Sequence, residues 1–315
     1  MANALLFSAI ERADLAASQA ALDAGADPNA VNDKGRTALI EAASRRDAPI
    51  VRLLLARGAE VDRPAHTRTA LSVACQLNVD RALRAKLEPA ALAVIDALLE
   101  AKADVNAAHA NSEYPPLVAA IRWATPAIVK RLLEARPKVH ESMVLDAVQH
   151  GQFECVQPLM MRAGGVDRTA LLRALCAHGT QRDDVAQLAR TLCKLNANPN
   201  HAERDGATPT HWAAYWTDVP MLLVPIEAGA DMNAPLASNW YPNESKVLAG
   251  STPRTLLDRA LGFAAERWAD GHVESRAEWE KLASALGTTV EQWLSDAAAQ
   301  RAQAPAKKPR KTKAK

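Results

Sequence analysis

A five-residue string, Gly-Ala-Asp-x-Asn, recurs along this chain at a fixed interval, and that recurrence limits the folds open to it. The string stands as Gly25-Ala26-Asp27-Pro28-Asn29 and returns 33 residues later as Gly58-Ala59-Glu60-Val61-Asp62. Lys102-Ala103-Asp104-Val105-Asn106 follows 44 residues after that, one period plus an insertion. Late in the chain come Asn196-Ala197-Asn198-Pro199-Asn200 and Gly229-Ala230-Asp231-Met232-Asn233, again 33 apart. Sequence self-similarity at this period marks a supersecondary unit that cannot bury its apolar face alone and does so by stacking on its neighbours.

A second signal lies inside each period. Thr37-Ala38-Leu39, Thr69-Ala70-Leu71, Pro115-Pro116-Leu117, Thr208-Pro209-Thr210 and Thr252-Pro253 each precede an apolar segment. Threonine is a good helix N-cap, and proline fits the first turn, where a missing N–H costs nothing. Leu39, Ala42 and Ala43 then share one helical face. Ile50, Val51, Leu54 and Leu55 repeat at helical spacing before Gly58, a residue suited to the left-handed position after a helix. Each period therefore reads as helix, turn, helix, turn.

The period, the Thr-Pro start and the Gly-Ala-Asp-x-Asn end together resemble the ankyrin repeat family over about residues 3–262, most closely at 25–62 and 200–233. The resemblance implies an all-α solenoid of about seven stacked helix-turn-helix units with short β-hairpin-like fingers. Tetratricopeptide repeats share the period, but their signature is absent. The expected domains are an ankyrin repeat domain at 1–249, an atypical helical C-terminal cap at 250–300 and a disordered basic tail at 301–315. The first repeat, 3–29, reads as an N-terminal cap. An insertion near Val79–Pro89 is expected to lengthen a helix of the third. The fourth ends in Arg136-Pro137, where the glycine turn is lost. Residues 141–200 read as two degenerate repeats, with little room for a finger at Asp167-Arg168-Thr169. Eighteen residues separate Asn233 from Thr252, against seven between Asn29 and Thr37, which predicts an enlarged finger. Beyond it, helices are expected at 253–269 and 274–286. Another should start after Thr288 with Glu291 closing a capping box, and Trp268, Trp279 and Trp293 should close the stack.

Charge and composition bound the function. Residues 301–315 hold seven Lys/Arg and no acid, leaving 31 basic against 36 acidic residues elsewhere, a net of −5. Cys75, Cys155, Cys176 and Cys193 have no Cys-x-x-Cys spacing and lie in helical patterns, which predicts buried thiols in a reducing compartment. Glu11 and Arg12 interrupt the first apolar run, against a secretory leader. No stretch approaches the length and apolarity of a membrane span. The expectation is a cytoplasmic monomer with no membrane association.

No catalytic constellation, cofactor motif or metal site stands out, so no enzymatic activity is expected and no cofactor is implied. His211 falls where ankyrin repeats place a structural histidine that hydrogen-bonds between neighbouring repeats. Cys176, His178 and Cys193 lack a fourth metal ligand. In the resembled family the first helix of each pair lines a concave groove and exposes its last turn. Alignment puts Ser44-Arg45, Gln76-Leu77, Arg122-Trp123 and Tyr215-Trp216 there.

Arg45, Arg122, Trp123, Tyr215 and Trp216, helped by Trp240 and Tyr241 on the long finger and by Lys34 and Arg36 on a short one, are the expected contacts for a protein partner of unspecified identity. Trp, Tyr and Arg dominate interface energetics. The competing reading is that these aromatics fill gaps between irregular repeats, Trp212 above all, and that the finger residues are solvated turns, with Asp33, His66 and Arg68 in the same class. The tail cations Lys307, Lys308, Arg310, Lys311, Lys313 and Lys315 suit weak, non-specific polyanion binding or an import receptor, with solubility as the alternative. With no interleaved aromatic, base stacking is not supported.

Overall fold

The computed structural model describes residues 1–65, 67–107, 114–179, 182–202, 207–216, 219–232, 276–292 and 295. The chain divides into two compact units, Met1–Gly165 and Val166–Lys315. Among the described residues both units are all-α stacks of helix pairs, consistent with the solenoid expected from the sequence.

Among the described residues the first unit holds five helix pairs: α1 (Ala2–Glu11) and α2 (Leu15–Asp23), α3 (Ala38–Arg45) and α4 (Ala48–Ala56), α5 (Ala70–Ala74) and α6 (Arg81–Glu100), α7 (Pro116–Trp123) and α8 (Pro126–Glu134), α9 (Glu141–Gln149) and α10 (Phe153–Arg162). The first helices form an inner row in which α1, α3, α5, α7 and α9 pack in succession, and α2, α4, α6, α8 and α10 form an outer row. The second unit repeats this with α11 (Arg168–His178) and α12 (Asp183–Lys194), then α13 (Pro209–Trp216) and α14 (Val219–Glu227). There α11 packs on α13 and α12 on α14, and the helix Arg276–Ala285 packs against α14.

In the first three helix pairs, side-chain caps divide between the rows. Threonine starts inner helices: Thr37 Oγ1 accepts the Ile40 N–H at 3.2 Å, and Thr69 Oγ1 accepts that of Ser72 at 3.3 Å. Aspartate starts outer ones, with Asp14, Asp47 and Asp80 accepting from Ala17, Ile50 and Leu83 at 2.8–3.0 Å. A carboxylate there also balances the positive helix end. Small residues allow the inner helices to approach: Ala38, Ala42, Ala43, Ala70, Ala119, Ala120 and Ala147 are fully buried. The insertion lengthens α6 to 20 residues, with Pro89 inside it.

Neighbouring pairs are stitched at the finger bases. Asn29 accepts the Glu60 N–H at 2.7 Å and donates Nδ2–H to the Gly58 carbonyl at 3.1 Å. Asp62 accepts from Asp104 N at 3.1 Å, and Asn106 from Lys138 N at 2.7 Å. In the second unit Asn200 accepts from Asp231 N at 2.8 Å and donates to the Gly229 carbonyl at 3.3 Å. The fingers themselves are minimal, with isolated antiparallel bridges at Val31–Thr37 and Ala65–Arg68.

The turn after each outer helix keeps its left-handed residue even where glycine is gone. Gly58 has φ 86°, and the same place is taken by Lys102 at 64°, Arg136 at 54° and Asn196 at 66°. Residues 141–200 form two regular helix pairs, and Asp167 caps α11 directly through Thr169 N and Ala170 N at 2.9 and 3.1 Å. Near the end, the cap is Thr289 rather than Thr288, since Thr289 Oγ1 accepts the Gln292 N–H at 3.2 Å. The expected helix at 253–269, the enlarged finger and the tail lie outside the described residues, as do the side chains of Trp268, Trp279 and Trp293.

Two outcomes follow for stability. Asn29→Ala removes both stitches to the next pair and should cost about 1–2 kcal/mol in urea unfolding. Lys102→Gly relieves a side chain held at positive φ and should gain about 1 kcal/mol, net of the extra freedom of glycine in the unfolded chain. The midpoint of the same titration reads both.

Candidate interaction surface

Several of the side chains that the sequence puts at the last turns of the inner helices are engaged within the fold. Arg45 donates Nε–H to Glu41 Oε1 at 3.2 Å and Nη1–H to the Glu11 carbonyl at 2.8 Å, tying α3 to α1. Arg36, at the finger, reaches the same Glu41 carboxylate at 3.4 Å. Lys34 is exposed at the finger tip. Its backbone N–H and that of Arg36 both donate to Asn32 Oδ1, at 3.0 and 2.9 Å.

The α7 end is a cluster. Arg122 pairs with Asp146 of α9 at 3.1 Å, and its guanidinium carbon lies 5.0 Å from the Tyr114 ring centroid. Tyr114 meets Trp123 edge-to-face with centroids 4.7 Å apart. A T-shaped aromatic pair and a stacked guanidinium each add attraction beyond burial. Trp123 and Arg122 remain half-buried, so part of each faces solvent. Tyr114 and Asp146 were missed in the sequence. Asp146 stands 24 positions from Arg122, a separation that periodicity alone does not single out.

In the second unit Trp216 is 45% exposed. Its indole Nε1–H donates to the Ala177 carbonyl at 2.7 Å. Its ring lies over Gly179 so closely that a Cβ there would meet Cγ and Cδ2 of the indole. Gly179 has φ 65°, a conformation that also favours glycine. A large aromatic surface is thus held in one orientation. Trp212, on the same helix, is half-buried. Tyr215 lies on α13, but its side chain falls outside the described ones, and Trp240, Tyr241, His66 and the tail cations Lys307, Lys308, Arg310, Lys311, Lys313 and Lys315 also fall outside the described residues.

One aligned position departs from expectation. Leu77 is fully buried rather than facing the groove. Helix α5 spans only Ala70–Ala74, so the chain leaves the helix early and turns Leu77 inward, while Gln76 keeps the half-buried place and offers its carbonyl to Arg46 Nη2 at 3.1 Å.

His211 is a structural residue. It is almost fully buried, and its Nδ1 accepts the Thr208 N–H at 3.1 Å, which puts the ring proton on Nε2. Thr208 Oγ1 in turn accepts the His211 N–H at 3.3 Å, closing the same box that Ser72 closes with Thr69. The contact is within its own turn. Burial lowers the His178 pKa, disfavouring the charged form of the ring. Cys75, Cys155 and Cys176 are buried and Cys193 half-buried, and none of the four is in a disulfide. Burial raises the Cys155 pKa to about 11 and pushes the others that shift, Cys75 and Cys193, upward too. Among the described residues no group of three His, Cys, Asp or Glu could hold a metal, and no helix is long and apolar enough to cross a membrane.

A profile of the family described as "Ankyrin repeats (3 copies)" matches residues 6–90. A curated relative, an "Ankyrin repeat and KH domain-containing protein" of Caenorhabditis briggsae, is 28% identical over 197 residues, which is 60% of this chain and 7% of the relative. The chain therefore spans a small fraction of the relative it matches.

Gly179→Ala should both strain the turn and displace the Trp216 ring. Acrylamide quenching of tryptophan fluorescence should rise, and the increase should vanish in a Trp216→Phe background. Thiol labelling at pH 8 should be slow, accelerate as pH rises toward the elevated thiol pKa values, and begin at Cys193, the most accessible of the four.

Proposed function

The chain is an ankyrin repeat protein, and on that premise we propose that it is a non-enzymatic adaptor that holds a protein partner on the open ends of its inner helices and on its finger tips. Ankyrin repeats are generally protein–protein interaction modules, and the family is typically non-catalytic. The observation that carries the reading is the fixed presentation of Trp216. Its indole is bonded to the Ala177 carbonyl and rests on Gly179, yet it stays 45% exposed. The Tyr114–Arg122–Trp123 cluster supports it in the first unit.

Side chains of these types, ordered before binding, lose less entropy when a partner closes over them. A gap-filling tryptophan would be expected to bury its ring instead. The division into a repeat array at 1–249, a helical end at 250–300 and a basic tail belongs to the same reading, as does a cytoplasmic monomer.

Affinity capture with intact protein, Trp123→Ser, Trp216→Ser and a chain with its six tail cations replaced by glutamine tests it, with helicity checked for each bait. A single protein kept by the intact and tail-neutral baits should be lost, by tenfold or more, with one of the tryptophan variants. Retention by both tryptophan variants together with loss from the tail-neutral bait would instead assign the function to the tail.

A further inference from the structure

The open face of α3 holds one buried carboxylate and two arginines. The Glu41 side chain is only 8% exposed, and its two oxygens receive Arg36 Nη1 at 3.4 Å and Arg45 Nε at 3.2 Å. Burying a carboxylate is costly unless it is hydrogen-bonded, and here two guanidinium groups satisfy it. One negative charge shared between two positive ones leaves an excess. The two arginines are 44% and 37% exposed. A guanidinium has five N–H donors. Arg36 commits one to Glu41, and Arg45 commits two, one to Glu41 and one to the Glu11 carbonyl. The remaining donors are available to a ligand.

The surroundings extend this excess. Arg46 places its Nη groups on the carbonyl oxygens of Ser44 and Gln76, at 3.2 and 3.1 Å, and meets no carboxylate among the described residues. Burial disfavours its charge and lowers its pKa. Arg68 stands immediately before its capping threonine, as Arg36 does one finger earlier, and it is exposed. Arg12 is exposed at the end of α1, and Lys34 at the finger tip. Glu41 is the carboxylate that meets Arg36 and Arg45, and Glu11 meets Arg45 through its backbone carbonyl. Asp14 and Asp47 direct their carboxylates to the N–H groups of Ala17 and Ile50, where they balance helix ends. Arg36 and Arg45 thus share a single carboxylate between them, on a chain whose residues before 301 carry a net charge of −5.

We propose that the open face of the first three helix pairs seats an extended acidic segment of the partner protein, its carboxylates on Arg36, Arg45 and Arg68. The inference rests on the adaptor reading and names the partner's chemistry. Guanidinium forks match carboxylates bidentately, and Glu41 with the Glu11 carbonyl holds two of these forks in place beforehand. Residues 30–80 contain no Phe, Trp or Tyr, so nucleic-acid bases have nothing to stack on there.

The test uses the full chain with Lys307, Lys308, Arg310, Lys311, Lys313 and Lys315 replaced by glutamine, which removes the tail as a competing site. The probe is fluorescein-labelled deca-glutamate, read by anisotropy at low and at physiological salt. Binding should weaken with salt. Arg36→Gln with Arg68→Gln should weaken it about tenfold, and Arg68→Gln alone, which leaves Glu41 untouched, about threefold. Helicity should stay at the parent's value in both variants and the unfolding midpoint should stay there in Arg68→Gln, whereas the double variant, which takes one partner from Glu41, should have a lower midpoint. Unchanged affinity in both variants, or no binding once the tail is neutral, overturns the inference. So does an oligo-dT strand of equal charge that binds as tightly and depends on the same arginines. If the probe fails while capture still depends on Trp123 or Trp216, the acidic-segment inference falls and the adaptor reading stands.

Discussion

A helix pair in this chain has apolar surface on both flanks, so its stability is inseparable from that of its neighbours. What fixes one pair to the next is the polar stitching at the finger bases. Asn29 offers an acceptor to Glu60 N and a donor to the Gly58 carbonyl, and Asn200 does the same for Asp231 and Gly229. An amide carries both functions in one group and so fits two backbone partners of opposite kind. Asp62 has only acceptors, and it meets one backbone N–H, that of Asp104, with both oxygens at 3.1 Å. The choice of Asn or Asp at the end of the repeated string is therefore a choice of how many backbone groups the next pair has satisfied for it. The packed alanines of the inner row then set the spacing at which these bonds close.

The period, the threonine caps and the left-handed turns were legible in the sequence because each depends on residues a few positions apart. The structure bears out Thr37 as a cap, Pro209 at the start of α13, and the long α6. Other features depend on contacts the period does not encode. Lys102 and Arg136 keep a turn for which glycine is the ordinary choice, because the backbone N–H of Ala103 still finds the Leu98 carbonyl and that of Arg136 the Leu133 carbonyl. The hydrogen bonds hold a conformation that the side chain disfavours. Leu77 reads as surface by alignment, but the short α5 sends it inward. The cap at Thr289 lies one residue beyond the threonine chosen from the pattern, a degeneracy that two adjacent threonines make unavoidable.

The candidate surface was legible in type and less so in state. Arginines and tryptophans do stand at the helix ends, yet Arg45 and Arg122 already have acidic partners in the fold, Glu41 and Asp146. A sequence gives the residue at a position and not what it spends its hydrogen bonds on. Trp216 shows the complementary case. Its exposure could be guessed from alignment, whereas its fixed orientation depends on Gly179 and the Ala177 carbonyl, about a full period away.

This double use of side chains has an energetic consequence. Arg122 joins α7 to α9 through Asp146, and Arg45 joins α3 to α1 through the Glu11 carbonyl. Both arginines are partly exposed, so the Arg122–Asp146 ion pair and the Arg45 hydrogen bond each contribute at most about 1 kcal/mol to the stack. A ligand that covers such a contact and hydrogen-bonds the donors left over raises the attraction within it while offsetting its desolvation. Binding on the proposed face would therefore be coupled to the link between neighbouring helix pairs, and the coupling would run both ways: whatever loosens the stack would weaken the site. In a fold built by stacking, the residues proposed to meet a partner and the residues that hold the repeats together are in part the same ones.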